Sequence, residues 1–259
     1  MSDPQVRRSG QHRRRPGVGA RKAAMKPAVL SALLLLLLVV PLAGCMELGN
    51  QEMTAGDIRR EYLAHQESVR EYSATLQMTG PAGVRDGQTV VTAKAPCRYR
   101  REHLDEAGLP ERIEVCNGSV LWRYTPGTGA VEQVPATGEI CTALLHEDYQ
   151  RVVARVVAEN AIAYRGVEGV NGSRAHVVEA APDNPCRYTG REFALMRAWI
   201  DTSTWMVDRV DFADGSGDCL LSAEYANIAV NPGIPDSTFT FVPPEEAGEA
   251  PLIPLTFPL

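Results

Sequence analysis

The chain has 259 residues, 44% of them hydrophobic, and its 32 acidic and 26 basic residues give a net charge of −6. Residues 1–44 contain eight basic residues and one acidic residue, a net charge of +7, so the remaining chain carries −13. A surface this acidic repels phosphates and anionic lipid headgroups, which excludes nucleic acid as an expected partner.

The N-terminal segment predicts export. Basic residues precede an apolar run of 16 residues, Ala28–Ala43, which small residues close. This run is shorter than the roughly 20 residues of a membrane-spanning helix, although an uncleaved anchor stays open as the alternative. Leu42-Ala43-Gly44-Cys45 resembles a lipobox, which implies that residues 1–44 are a signal peptide and that Cys45 is lipidated. Translation from Met25 would give a shorter signal peptide with the same cleavage site.

The segment that follows Cys45 predicts a short tether, residues 45–53, and then a helix. Thr54 is a suitable N-cap, and Asp57 lies in the first turn, where an acidic residue is favoured. Residues at helical spacing predict that the helix continues to about Arg70. These residues are Ile58, Tyr62, His65 and Val69.

Alternating apolar and polar residues predict about eleven strands in the rest of the chain. The strand segments are 72–79, 89–95, 97–104, 112–116, 119–125, 131–134, 162–167, 174–180, 192–201, 205–213, 219–230 and 238–242. Turn sequences such as Asn117-Gly118 and Asn171-Gly172 join them into antiparallel hairpins. A second helix with a broad apolar stripe is predicted over 142–159. Together these elements predict an α+β fold with one packed sheet face and one face in water.

Five cysteines follow Cys45, and in an exported protein they predict disulfide bonds. They are Cys97, Cys116, Cys141, Cys186 and Cys219. If the turn lies at 105–108, Cys97 faces Cys116, while Cys186 and Cys219 are nearly symmetric about a later turn. Cys141 is then the unpaired cysteine. Four cysteines allow three pairings, so these two pairs are one interpretation among several.

Five segments together resemble a known superfamily. They are Ala95–Arg100, Ile113–Pro126, Ala198–Asp201, Asp214–Gly217 and Asn231–Pro243. In order and spacing they are similar, across roughly residues 72–243, to the motifs of the LolA/LolB superfamily of lipoprotein carriers. The resemblance implies an unclosed antiparallel β-barrel with two helices over its concave face, formed by residues 54–243. Residues 244–259 would be a Pro/Glu-rich tail.

The resemblance also implies an apolar cavity that accepts acyl chains. Candidate lining residues are Leu76, Met78, Tyr99, Trp122, Tyr124, Trp199 and Phe212, with Trp122 the first choice. Each of these also fits a plain core position. Arg98 and Arg100 fit either an arginine that ties a helix to the barrel or a solvated surface residue.

These features predict a lipoprotein anchored through Cys45 on the outer face of the cell membrane, or on a periplasmic face in a two-membrane cell. It would bind an acyl lipid, or the lipid of a lipoprotein, without catalysis. The alternative is an RseB-like sensor or envelope scaffold that binds a membrane protein partner. Motifs of hydrolases, metalloproteases, P-loop and dinucleotide-binding proteins are absent, and no cofactor or metal site is predicted. Asn117 and Asn171 begin N-x-S sequons and are glycosylation candidates.

Overall fold

The computed structural model describes residues 53–138, 141, 148–181, 186–188, 191–244 and 248–249. The predicted signal peptide, the predicted lipidation site Cys45 and the predicted tether lie outside the described residues, apart from residue 53. Residues 142–147 of the predicted second helix and most of the predicted tail also lie outside them.

The described residues contain two α-helices, α1 (Ala55–Ser68) and α2 (Tyr149–Glu159), and two 3-10 turns, Pro81–Gly83 and Asp236–Phe239. The strands are β1 (Glu71–Thr79), β2 (Arg85–Lys94), β3 (Arg98–Leu104), β4 (Pro110–Asn117), β5 (Val120–Thr125), β6 (Ala130–Pro135), β7 (Ile162–Val170), β8 (Ser173–Ala180), β9 (Cys186–Tyr188), β10 (Arg191–Phe193), β11 (Leu195–Asp201), β12 (Val207–Ala213), β13 (Cys219–Val230) and β14 (Gly248–Glu249). Each predicted strand segment except the last overlaps one of these strands.

One large sheet organises the fold, with the strand order β14-β6-β5-β4-β3-β2-β1-β13-β12-β11-β8-β7. Eleven of its strands are antiparallel, and the two-residue β14 adds to β6 in parallel. Strands β9 and β10 form a separate ribbon. The sheet does not close, because within the described residues β7 pairs only with β8. An open antiparallel sheet of eleven strands with two helices confirms the predicted fold class.

Helix α1 begins where its sequence predicts. The Thr54 side chain accepts a hydrogen bond from the Asp57 backbone N–H, and the Asp57 carboxylate accepts one from the Thr54 backbone N–H. This reciprocal capping box satisfies two amides that the first helical turn leaves without partners. Ile58 and Tyr62 are buried against the sheet core, and the helix ends at Ser68. No helix among the described residues is both long and apolar enough to cross a membrane.

Helix α2 is capped by the Asp148 carboxylate, which accepts a hydrogen bond from the Gln150 backbone N–H. Its apolar stripe is buried over the sheet, as the sequence predicts. The stripe residues are Val152, Val153, Val156 and Val157. The Gln150 side chain donates to the Val207 carbonyl at 2.8 Å and accepts from the Val207 backbone N–H at 2.9 Å. These two buried hydrogen bonds fix the start of α2 to strand β12.

Both helices pack on one side of the sheet, here called the helix-covered face, and the main hydrophobic core lies there. The opposite face carries two smaller clusters, one around Val115 and Phe239 and one around Val177 and Trp199.

The predicted last strand, 238–242, is wrong. This segment begins within the 3-10 turn Asp236–Phe239, which buries Phe239 on the opposite face. Polar contacts, rather than hydrogen bonds to a neighbouring strand, fix this part of the chain. They include the Glu71 carboxylate, which accepts hydrogen bonds from the backbone amides of Gly233 and Ile234, just before the turn.

The predicted cysteine pairing is wrong. Cys97 forms a disulfide with Cys141, at a Cα–Cα distance of 5.7 Å, and Cys219 is an exposed free thiol. The β3–β4 register pairs Tyr99 with Cys116, since the hairpin turn extends through residue 109 and shifts the register by two positions. Cys116 is therefore a buried free thiol, although its Sγ lies only 3.8 Å from that of Cys97.

Both predicted sequons lie at exposed hairpin turns. Asn171 and Gly172 have φ angles of 49° and 85°, as a type I′ turn requires. At the other turn only Gly118 has a positive φ, and the Asn117 side chain accepts hydrogen bonds from two following backbone amides. Glycosylation at these sites stays a prediction.

Candidate ligand-binding cavity

A cavity of about 770 Å³ lies on the helix-covered face, bounded by strands β1, β2, β3, β4, β10, β12 and β13 and by the start of α2. Its volume is within the range of small-molecule binding pockets. The apolar wall consists of Leu76, Met78, Tyr149, Phe193, Phe212, Leu220 and Leu221. The polar part of the wall consists of Asp86, Thr89, Arg101, His103 and Arg112. Gly80, Pro81 and Val84 complete the lining.

Aromatic side chains build the apolar end. The rings of Phe193 and Phe212 have centroids 4.5 Å apart, and Tyr149 lies 5.9 Å from Phe212. Tyr149 is the first residue of α2, and its hydroxyl donates to the Met78 sulfur at 3.4 Å. Alternation along β1 directs Leu76 and Met78 to the same wall. The apolar end therefore depends on the correct placement of the α2 N-terminus over the sheet.

Buried polar contacts fix that N-terminus. The Tyr72 hydroxyl donates to the Asp148 carboxylate at 2.9 Å, and both side chains are buried. Burial raises the pKa of Asp148, and the hydrogen bond from Tyr72 opposes the shift. The Tyr62 hydroxyl of α1 also donates to the Gln150 carbonyl at 3.3 Å. Both helices and the sheet thus meet beside the cavity.

The polar end is organised around Glu114, a buried carboxylate on β4. Arg123 lies 3.3 Å from it, Arg112 3.7 Å and Arg101 3.8 Å. Burial alone would raise the pKa of Glu114, but nearby His103 and the three guanidinium groups outweigh this effect and lower the pKa to about 2. Glu114 is therefore ionised at neutral pH, surrounded by three arginines.

The strand register sets the direction of the cavity wall. Arg112 pairs with His103, His103 with Thr89, and Thr89 with Leu76, so one cross-strand row runs from β4 to β1. Neighbouring strands are about 4.8 Å apart, which places the basic and apolar ends of this row about 14 Å from each other. The wall is thus amphipathic along a defined direction.

Three predicted lining residues, Leu76, Met78 and Phe212, lie in the cavity wall. Tyr99 lies on the helix-covered face but in the packed core, next to Arg101. The other candidates lie on the opposite face: Trp122 and Tyr124 contact Phe241, and Trp199 packs with Ala175 and Val177. Alternation along β5 directs Leu121 and Arg123, rather than Trp122, to the helix-covered face.

Among the described residues, no hydrogen bond or ion pair joins Arg98 or Arg100 to either helix. Arg98 forms an ion pair with Asp236 at 2.8 Å, and Arg100 donates to Glu102 at 2.7 Å. Arg98 thus holds the C-terminal 3-10 turn against the sheet. In the part of the chain that the structure describes, no group of three or more His, Cys, Asp or Glu side chains is placed to hold a metal ion.

The basic wall residues were not predicted as site residues. Arg101 and His103 follow Tyr99 at alternate positions of β3, so the strand pattern assigns all three to one face. That alternation is the signal in the sequence that could have indicated them.

No protein-family model matches the chain. An uncharacterized protein of Methanocaldococcus jannaschii is 23% identical over 215 residues, which cover 83% of this chain. The matched region is 58% of that relative, so the chain spans little more than half the length of the curated relative it matches.

Among solved structures, an uncharacterized conserved protein from Thermus thermophilus has a TM-score of 0.50 at 17% identity, over 74% of this chain and 97% of the other. This likeness shows a shared fold. Lipoprotein LppX of Mycobacterium tuberculosis has a TM-score of 0.45 at 10% identity, over 70% and 97% of the two chains. A LolA superfamily protein from Nitrosomonas europaea has a TM-score of 0.33 at 12% identity, over 73% and 98%. The last of these structures is named for the superfamily that the sequence motifs resemble.

Proposed function

We propose that this protein is a non-catalytic, extracytoplasmic binding module that holds the acyl chain of a lipid, or of a lipoprotein, in the cavity of the helix-covered face. The observation that carries the proposal is the cavity of about 770 Å³, whose wall includes several aromatic and aliphatic side chains. The lipobox-like motif supports attachment to a membrane through Cys45, which would make the protein an anchored acceptor or presenter of lipid.

The apolar wall suits an acyl chain energetically. Each methylene group transferred from water into an apolar site contributes about 0.8 kcal/mol. About ten buried methylenes would therefore contribute about 8 kcal/mol before the cost of association is subtracted. A ligand without an apolar chain would leave this wall exposed to water.

The proposal is tested with N-phenyl-1-naphthylamine, an uncharged fluorophore whose emission rises in apolar surroundings. Wild-type protein should bind it saturably. Met78→Trp adds a larger side chain to the cavity wall and should weaken binding at least tenfold, a rough value for occupation of part of the apolar site. Val167→Trp is the matched control, since Val167 also lies on a strand but is exposed and outside the cavity lining.

Circular dichroism and thermal unfolding of both variants show whether each is folded. Failure of the folded wild-type protein to bind the fluorophore would overturn the proposal. Equal binding by folded Met78→Trp and wild type would also overturn it. The alternative function, recognition of a partner protein, would then become the better explanation.

A further inference from the structure

We infer that Cys97, Cys116 and Cys141 form a thiol–disulfide exchange site, at which the chain moves its disulfide from Cys97–Cys141 to Cys97–Cys116. The exchange is independent of the proposed ligand, since none of the three cysteines lines the cavity. It needs no cofactor and no added oxidant, because one disulfide is broken as another is formed.

The first argument is distance. The Sγ atom of Cys116, a buried free thiol, lies 3.8 Å from the Sγ atom of Cys97, which is bonded to Cys141. Heavy atoms this close are in contact. A disulfide bond is about 2.0 Å long, so the two sulfurs must approach each other by about 1.8 Å to form one. Because the contacted sulfur belongs to Cys97, Cys141 is the leaving group.

The second argument is the position of the attacking thiol. Cys116 pairs with Tyr99 on one side and with Leu121 on the other, inside the sheet. Its thiol donates to the Cys97 carbonyl oxygen at 3.3 Å, which directs the side chain toward Cys97. Cys116 is also fully buried, so a partner for its sulfur must come from within the protein.

The third argument is the freedom of the other two cysteines. Cys97 lies in the turn that joins β2 to β3, outside both strands, and turn residues move more readily than the strands they connect. Cys97 and Cys141 also line a cleft of about 20 Å³, which has room for about one water molecule. Protons can therefore pass between the disulfide and the solvent.

The exchange is a single balanced substitution. Cys116 gives its proton to water, and its thiolate attacks the Sγ atom of Cys97. The Cys97–Cys141 bond breaks, and its electron pair leaves with Cys141, which takes up a proton. One disulfide and one thiol are present before and after, so nothing is oxidised or reduced overall. Burial raises the pKa of Cys116, against an opposing hydrogen bond with the Gly118 backbone, so the resting group is the thiol.

The exchange changes which parts of the fold are covalently linked. Cys97–Cys141 joins the start of β3 to the segment that precedes α2, across 44 residues. Cys97–Cys116 would instead close the β3–β4 hairpin, across 19 residues. The chain that leads to Asp148, the N-cap of α2, would then lose its covalent link to the sheet. Cys141 would become a free thiol.

The test uses the whole wild-type chain, kept folded at neutral to mildly alkaline pH with excess N-ethylmaleimide and no reducing agent. The reagent alkylates the exposed Cys219 thiol first, which removes it as a competing nucleophile, and it traps Cys141 whenever exchange releases it. Peptide mapping without reduction then identifies each bond. Alkylated Cys141 and the Cys97–Cys116 disulfide should accumulate in equal amounts over minutes to hours, the timescale of uncatalysed disulfide rearrangement.

Cys116→Ser removes the attacking thiol and should abolish alkylation of Cys141. Cys219→Ser is the matched control, because Cys219 is the other free thiol of the described residues and is exposed. It should leave the alkylation of Cys141 unchanged. Circular dichroism before and after incubation shows whether each protein stays folded.

Alkylation of Cys116 with the Cys97–Cys141 bond intact would overturn the inference, because the thiol would then open to solvent without exchange. Alkylation of Cys141 at the same rate in Cys116→Ser would also overturn it. So would the absence of alkylation at all three cysteines after about a day. The wild-type experiment needs no variant, so it is decisive even if Cys116→Ser folds poorly. None of these outcomes affects the proposed ligand binding.

Discussion

Glu114→Gln is the most informative single change for the polar end of the cavity. The substitution removes the buried charge that three arginines surround while it preserves the shape of the side chain. Arg101 and Arg123 would then be left beside a neutral group. Removal of one partner from a buried ion pair is strongly destabilising, because the remaining charge stays in a poorly solvated place.

The magnitude follows from the pKa of Glu114, which is lowered from 4.5 to about 2. A shift of about 2.5 pKa units corresponds to about 3 kcal/mol of free energy of unfolding. Because the folded-state pKa is lowered, this contribution is fully present above pH 4.5 and is lost as the pH falls toward 2. Midway, near pH 3.2, about half of it should remain.

Urea denaturation at pH 7, 4 and 3 provides the measurement. Glu114→Gln should be about 3 kcal/mol less stable than wild type at pH 7, and the difference should shrink in acid. Glu111→Gln is the control, since Glu111 is an exposed residue of the same strand, and its effect should stay within about 0.5 kcal/mol. A difference that is small at pH 7, or that does not change with pH, would refute the electrostatic account of this cluster.

Two other changes test the packing of the fold. Gln150→Ala should lower the free energy of unfolding by about 2–4 kcal/mol, because it removes the side chain that bonds the buried N–H and C=O of Val207. Urea denaturation measures this change, and a loss below about 0.5 kcal/mol would contradict the role of Gln150. In Cys141→Ser, oxidised with glutathione disulfide, peptide mapping should find a new Cys97–Cys116 disulfide, since these sulfurs lie 3.8 Å apart. Recovery of Cys97 as a free thiol would show that the two cannot meet in the folded chain.

Local patterns were sufficient to predict most elements of this fold. The Thr54 cap, the alternation along β1 and the buried stripe of α2 depend on neighbours in sequence, and they appear in the structure as predicted. The last predicted strand failed because its alternation is short. Hydrogen bonds from the Gly233 and Ile234 amides to Glu71 fix the chain just before that segment, which then begins in a 3-10 turn.

The cavity was only partly predictable, because alternation separates the two faces of one strand without indicating which face the helices cover. Leu76 and Phe212 lie in the cavity wall, whereas Trp122 lies on the opposite face. The arginines around Glu114 come from three neighbouring strands, so their meeting depends on register across two hairpins. A two-residue error in one of those registers also produced the wrong cysteine pair.

The most direct test of the central claim is native mass spectrometry of the protein purified from its own host under non-denaturing conditions, with organic extraction of the bound material. The account predicts one acyl lipid per chain, released when the protein is denatured. A mass that corresponds to the protein alone, together with an extract free of acyl lipid, would contradict it.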